Sequence, residues 1–407
     1  MTITSLHGSQ KAAVRTQGRT KKRSSQKGML SDGLTRLNRS HIDVPFLVLT
    51  LLLLCIGLVT LFSVSFPYAR YKESDPFYFL KRQGLFSVIG VFAMLAISRF
   101  SPSFFRRWAN VALAVAGILL FLVLIPGIGV VHNNARRWIG VSAFEFQPSE
   151  VAKFAVILFF SDRLARRKRP MEQGQRGLLQ FASYLGILLI AAGLMMGEPH
   201  LSGTVLIMVT GFTLLIISGI PWSWVGVIFA GGIAAGYLLV GVLGYGASRI
   251  SMWLDPWQDM QDKGYQMCQS LITIGSGGPL GLGPFQSIQK YMYLPEQQND
   301  FIFSVYCEEV GFVGAVALIL LFTALIVRGY WIAFHARDRF GFYLTCGIMT
   351  LFTLQVFLNI AVVTGLVPCT GISLPFFSYG GTALCMQLAE MGIVLSVSRQ
   401  IRPPRAE

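Results

Sequence analysis

Charge is what this sequence has least of. Of its 407 residues only 13% are Asp, Glu, Lys or Arg, about half the share of a soluble domain, while 53% are hydrophobic. That balance excludes a soluble globular chain and makes this an integral membrane protein. Acidic residues are the rarer charges, 19 Asp and Glu against 34 Lys and Arg. A basic excess can serve nucleic acid, but here it lies between apolar runs, so no nucleic-acid partner is expected. The six cysteines, Cys55, Cys268, Cys307, Cys346, Cys369 and Cys385, show no C-x-x-C or metal spacing. Neither disulfides nor a metal cluster organises the chain, and the thiols read as small core residues. A soluble chain of this length would hold two or three domains. At about 20 residues per crossing it fits one helical bundle.

Ten apolar runs are present, at about 44–65, 81–98, 108–128, 148–162, 180–197, 202–218, 223–244, 303–327, 341–366 and 379–397. The expected fold is an all-α membrane bundle of about ten helices, with a long outer loop, about 245–302, between the seventh and eighth. Residues 1–43 carry nine Lys or Arg among Ser, Thr, Gln and Gly and read as a disordered basic cytoplasmic tail. That tail is too long for a signal-peptide n-region, and the first helix is expected to stay as an anchor. The membrane domain covers 44–398, and 399–407 is a short second tail. With the first tail inside, the inner loops hold Arg99, Arg106 and Arg107, then Arg163, Arg166, Arg167, Lys168 and Arg169. Arg328, Arg337 and Arg339 follow, then Arg399, Arg402 and Arg405. This obeys the positive-inside rule and leaves both termini cytoplasmic.

Some charges break that order. Lys81, Arg82, Arg136 and Arg137 fall on the outer side and Lys153 lies within the fourth run. Binding an anion is the simplest reason, with snorkelling to lipid headgroups as the plain alternative for Lys81 and Arg82. Glu150, three residues before Lys153, shares its helix face and either orients or neutralises it. Carboxylates gather in Lys290–Gly314, where Glu296, Asp300, Glu308 and Glu309 stand at the start of an apolar helix. An acidic side chain at a membrane boundary is costly and points to function. A helix-start carboxylate facing its own dipole is the bland reading for Glu308 and Glu309. It suits Asp300 less, because P-E-Q-Q-N ahead of it looks like loop. The loop also holds G-S-G-G-P-L-G-L-G, Gly275 to Gly283. With no Lys-Ser/Thr after it this is not a P-loop, and it reads as a flexible, close-packed turn between short re-entrant helices. Trp253 and Trp257 suit an interface belt.

Three segments together resemble the SEDS proteins of bacterial wall synthesis (shape, elongation, division and sporulation). The clearest is Asn359, Gly365-Leu366-Val367-Pro368, Gly371-Ile372 and L-P-F-F-S-Y-G-G-T-A from Leu374 to Ala383. The second is A-R-R-W-I followed by Q-P-S-E-V-A-K, Ala135 to Lys153. The third runs from L-D-P-W at Leu254 through L-P-E-Q-Q-N-D-F-I-F to E-E-V-G ending at Gly311. The resemblance spans about His41 to Arg402, and D-P-F-Y-F-L-K-R-Q, Asp75 to Gln83, looks most like the FtsW division branch. Three departures stand out. Cys369 replaces a small aliphatic residue or Thr, and Asn134 replaces a usual Gly. The family's Q-P-D turn appears as E-P-H, Glu198 to His200.

The resemblance implies a peptidoglycan glycosyltransferase that polymerises lipid II at the outer face of the cytoplasmic membrane; septal wall synthesis is the expected process, with elongation or sporulation as alternatives. It implies Asp300 as the base on the acceptor hydroxyl, and Arg137 and Lys153 as cations for the pyrophosphate. Arg136, Glu150, Glu296 and Lys290 complete the candidate substrate-binding set. The implied partners are a class B penicillin-binding protein and other division proteins. Small residues of the last two spans, Gly347, Gly365, Gly380, Gly381 and Ala383, offer a docking face or serve packing within the bundle. No cofactor is expected beyond a divalent cation that could assist the pyrophosphate. A lipid II flippase or a non-catalytic scaffold remains the rival reading.

Overall fold

The computed structural model describes residues 42–132, 135–141, 144–167, 174–242, 244 and 246–401. The basic tail to residue 41, Asn134, Lys168, Arg169, Tyr245, Arg402 and Arg405 lie outside the described residues. Among those described, twelve α-helices and three short strands follow in chain order. They are α1 (Val44–Lys72), α2 (Tyr78–Ile97), α3 (Pro102–Leu124), β1 (Gly129–His132), β2 (Ala135–Val141), β3 (Phe144–Phe146) and α4 (Pro148–Ala165). Then come α5 (Gln175–Gly197), α6 (Leu201–Ile217), α7 (Trp222–Tyr237), α8 (Ala247–Leu254) and α9 (Tyr265–Ser276). The chain closes with α10 (Ile302–Phe334), α11 (Arg339–Val363) and α12 (Gly381–Ser398).

Ten of these helices take up the ten apolar runs. Eight are long and apolar enough to cross a membrane, α7 counting with the π-helical turn Leu238–Val242 that extends it. The other two are α6, with 17 residues, and α4, whose 18 residues include Glu150, Lys153, Asp162 and Arg163. The chain is an all-α, multi-pass membrane protein. Its helices differ from the runs at their ends for physical reasons. At 1.5 Å per residue the 29 residues of α1 span about 44 Å, more than the hydrocarbon needs, so one end projects. Helix α3 stops at Leu124 because Ile125-Pro126-Gly127 turns the chain into β1. The antiparallel sheet β1-β2-β3 that follows is a feature the helical reading did not anticipate.

Helix α11 is the centre of the bundle, packed against α4, α6, α10 and α12 with most of its length buried. A methyl group on Gly347 would come 2.5 Å from Ile157 of α4 and 3.2 Å from Leu214 of α6. Gly381 likewise lies against Phe86 of α2. These small residues let helices of the bundle approach one another, the second of the two uses expected of them. By contrast, α7 has no buried residue.

The bundle has two chemically different ends. At one, Asp43 caps α1 and pairs with Arg328 at 2.7 Å, Arg106 pairs with Asp162 at 2.7 Å, and Arg339 reaches the carbonyl of Arg167. At the other lie the small sheet, the α5–α6 turn, the long loop and the segment between α11 and α12. Asn359 of α11 holds the carbonyl of Asp300 there, twenty residues along the helix from Arg339. That is about 30 Å, one hydrocarbon thickness.

Candidate functional site

Asp300 sits in the turn leading into α10, and its backbone is clamped from three sides. Asn359 Nδ2 donates to the carbonyls of Asp300 (2.8 Å) and Ile372 (2.6 Å). Ser378 Oγ donates to Asn299 O at 2.6 Å, and Tyr379 N to Gln298 O at 2.9 Å. Gln297 Nε2 donates to the carbonyls of Lys290 and Val64. The L-P-F-F-S-Y segment therefore grips the loop that carries the acid. Gly371 is required beside it: its φ is +60°, and a Cβ there would lie 3.1 Å from Asp300 Oδ2.

The side chain itself is left alone. The half-buried carboxylate makes no hydrogen bond or ion pair with any described residue. Burial first, and the neighbouring Glu296 charge second, push its pKa up to about 6, against the pull of Arg137. Glu296, whose Oε2 accepts from Asn299 at 2.6 Å, is thus part of the same site.

Adjacent strand residues face opposite ways, and this separates the two arginines of β2. Arg136 turns back to the end of α3, where its Nη1 donates to Leu124 O at 3.1 Å. Arg137 turns to the α5–α6 turn, donating to the carbonyls of Glu198 (3.3 Å) and Pro199. Its charge is felt at Asp300, Glu198 and His200. Lys153, one turn into α4 and buried, binds Glu150 at 2.7 Å and also acts on His200. Arg137, Lys153, Glu150, Glu296 and Asp300 therefore belong to one electrostatic neighbourhood, and Arg136 anchors the sheet instead.

Lys290 stands apart from that neighbourhood. It is buried, 3.0 Å from Glu309 and 3.2 Å from Ser63 of α1, and Ser63 donates to the same carboxylate at 2.5 Å. Glu308 accepts from Ser287 and from the backbone of Ile288 and Gln289. Neither acid faces its own helix dipole. Together they fasten the loop to the start of α10, which is broken at Gly311 with φ 70° and ψ −171°. The freed backbone groups are met by the glycine-rich turn: Phe312 N donates to Gly278 O at 2.9 Å, and Leu282 N to Glu308 O at 2.9 Å. The close packing expected of Gly275 to Gly283 is there, because a side chain at Gly281 or Gly311 would strike the opposing backbone.

Two carboxyls escaped the sequence-based reading as site residues. Glu198 is 0% exposed, and neither of its oxygens has a hydrogen-bond partner among the described residues. Burial pushes its pKa up to about 8 against the charge of Arg137, so it is neutral at pH 7. Its neighbour His200 accepts at Nδ1 from Gln147 Nε2, 3.1 Å away. Burial, then the charges of Arg137 and Lys153, holds that imidazole down to about 3, hence neutral. Glu390, buried in α12, lies close enough to feel Lys153 and Glu150. A lone acid inside an apolar run was the available signal for it. Among the described residues no three His, Cys, Asp or Glu side chains group as a metal site.

Comparison with known proteins agrees with this architecture. A family described as cell cycle protein, FtsW/RodA/SpoVE, matches residues 44–403. The stage V sporulation protein E of Bacillus subtilis is 41% identical over 363 residues, 88% of this chain and 98% of that one. A "Probable peptidoglycan glycosyltransferase FtsW" of Geobacter sp. is 36% identical over 363 residues, covering 88% and 97%. Among solved structures, the Thermus thermophilus rod shape determining protein RodA superposes with a TM-score of 0.65 at 26% identity, covering 90% and 99%. A chain from work on coordinated polymerization and crosslinking by a peptidoglycan synthase complex superposes at 0.73, with 27% identity and 88% and 98% coverage.

Proposed function

Because this chain belongs to the FtsW/RodA/SpoVE family of cell cycle proteins, we propose that it is a peptidoglycan glycosyltransferase polymerising lipid II, with Asp300 as its base. The observation that carries the reading is a clamped carboxylate with no side-chain partner among the described residues, whose pKa is raised to about 6 despite the charge of Arg137. Such a group is ionised at neutral pH yet basic enough to take a proton. The acceptor sugar's 4-hydroxyl gives its proton to Asp300 as its oxygen bonds to the donor's anomeric carbon. The bond from that carbon to the undecaprenyl pyrophosphate breaks, and the electron pair leaves on phosphate. Arg137 and Lys153 stabilise that charge, the first as a bidentate fork and the second as a point charge released from Glu150. A divalent cation, where one assists, would ride on the substrate's phosphates. Lys290, bound to Glu309, and Arg136, bound to the end of α3, hold the loop and the sheet that line this site.

The distribution of Lys and Arg supports an outer position for Asp300 and cytoplasmic termini in the bacterial cytoplasmic membrane. The relatives named FtsW favour a septal role with a class B penicillin-binding protein as partner. Phe357, exposed on the mostly buried α11, is the position from which a crosslinker tests docking on the ninth span. The 41% identity to a sporulation protein favours a second process. Loss of the gene separates the two, since septation fails in one case and only the spore wall in the other. The test of the chemistry is polymerisation of lipid II by purified protein, with and without its partner. Long glycan from wild type and none from Asp300→Asn, with membrane insertion unchanged, is expected. Normal polymer from Asp300→Asn would return a flippase or a scaffold, neither of which needs a base.

A further inference from the structure

The long loop is two unlike halves. From Arg249 to Lys263 it carries Arg249, Asp255, Asp259, Asp262 and Lys263. From Gly264 to Gln289 it carries no charge at all, and Lys290, the next one, is buried against Glu309. Helix α9 of this uncharged half buries one side, at Met267, Cys268, Ser270 and Thr273, but the stretch after it is open. Leu280 is 79% exposed and Ile288 62%, and Phe285, Tyr291, Met292 and Tyr293 are exposed as well. A water-facing loop rarely presents so continuous an apolar surface.

Its depth accounts for the difference. Gly278 and Pro279 are hydrogen-bonded to Phe312 and Val313, just past the break in α10. Gly311 lies seventeen residues from Arg328, which pairs with Asp43 at the other end of the bundle. That is about 26 Å, so the break lies near the edge of a hydrocarbon layer about 30 Å thick. Below it, exposed Phe312, Val313, Leu320 and Val327 form the lipid-facing stripe of α10. Leu280 lies against Gly311 at the head of that stripe, and the exposed Tyr291 and Tyr293 are side chains of the kind that favours the boundary between acyl chains and headgroups.

We propose that Gly264–Tyr293 is immersed in the leaflet at the Asp300 end, with the lipid surface itself as its partner. The segment is an interfacial anchor that fixes the depth of the following turn, and with it Asp300. The proposal does not rest on the reaction assigned above. It is tested by fluorescence of a bimane label on Leu280→Cys, Ile288→Cys or Asp262→Cys, with the full chain in lipid nanodiscs. Cys55→Ser, Cys369→Ser and Cys385→Ser remove the accessible native thiols, while Cys268, Cys307 and Cys346 stay shielded by the fold. Acyl-brominated lipid is expected to quench at 280 and 288 and aqueous iodide at 262, so the lipid-to-iodide ratio is several-fold higher at the first two. A ratio at 280 and 288 no higher than at 262 overturns the proposal. Adding the partner protein then tells whether the apolar surface is a protein-docking face, which shielding from iodide would reveal. Because quenching is read without turnover, failure here is distinct from failure of the glycosyltransferase reading.

Discussion

Both ends of the bundle bury a carboxylate near an arginine, and they use it differently. At the Arg339 end, Asp162 is gripped by Arg106 at 2.7 Å and Arg166 at 2.9 Å. At the other end, Asp300 and Glu198 lie within reach of the Arg137 charge, but that guanidinium bonds to backbone carbonyls of Glu198 and Pro199. A satisfied acid is architecture, because its lone pairs are already occupied. An unsatisfied one in a partly dry site keeps its basicity for an incoming proton. Local partners, more than burial, distinguish a strut from a reactive group.

The sharpest way to break this contrast is to neutralise each acid in turn. Asp300→Asn should abolish glycan synthesis with the fold intact, and Asp300→Glu should retain at most a small fraction, since near-attack geometry tolerates little displacement. Glu296→Gln is the matched control and should keep most activity. Chain-length analysis of the polymer reads all three. Lys153→Met or Arg137→Gln should cost about 1.5–3 kcal/mol of charge-assisted bonding. That is roughly a tenfold to hundredfold loss of rate at 1.4 kcal/mol per decade. Lys153→Arg should rescue poorly, and a normal rate in Lys153→Met would remove the anion site from the account.

Asp162→Asn should do the opposite of Asp300→Asn. With both arginines partly exposed to solvent, it should cost about 1–3 kcal/mol of stability, visible as earlier thermal unfolding, while activity per folded molecule holds. The smallest effect belongs to Glu198. A carboxyl whose pKa is raised to about 8 gives its stability below the ordinary carboxylate range and loses it as pH rises through about 8. Wild type should therefore unfold more readily as pH rises from about 4.5 to about 8, and the trend should level off above that. Glu198→Gln, which has no proton to lose, should flatten that trend, and an unchanged trend would mean that Glu198 is not the group responsible.

The number and order of the spans were legible because apolar runs about 20 residues long have few alternatives. Asp300, Arg137 and Lys153 stood out because each is a charge where the pattern forbids one. Their shared neighbourhood was not legible, since it depends on the small sheet after α3 turning Arg137 one way and Arg136 the other. The surroundings of Lys290 were hidden for a related reason. Sequence shows a lysine ten residues before Asp300, but its partners, Ser63 and Glu309, come from the first and eighth spans. Glu198 and Glu390 were visible as isolated acids, and only packing shows that the first lacks hydrogen-bond partners among the described residues and that the second feels Lys153.

The central claim, that Asp300 is the base, rests on a carboxylate that no described residue occupies. The most direct measurement is the polymerisation rate of the purified protein with its partner as a function of pH. Only the ionised carboxylate accepts a proton, so the rate should fall as pH drops, with a midpoint near 6. Lys153→Met should lower that curve without moving its midpoint. A rate flat through pH 6, or the same acid limb in residual Asp300→Asn activity, would contradict the account.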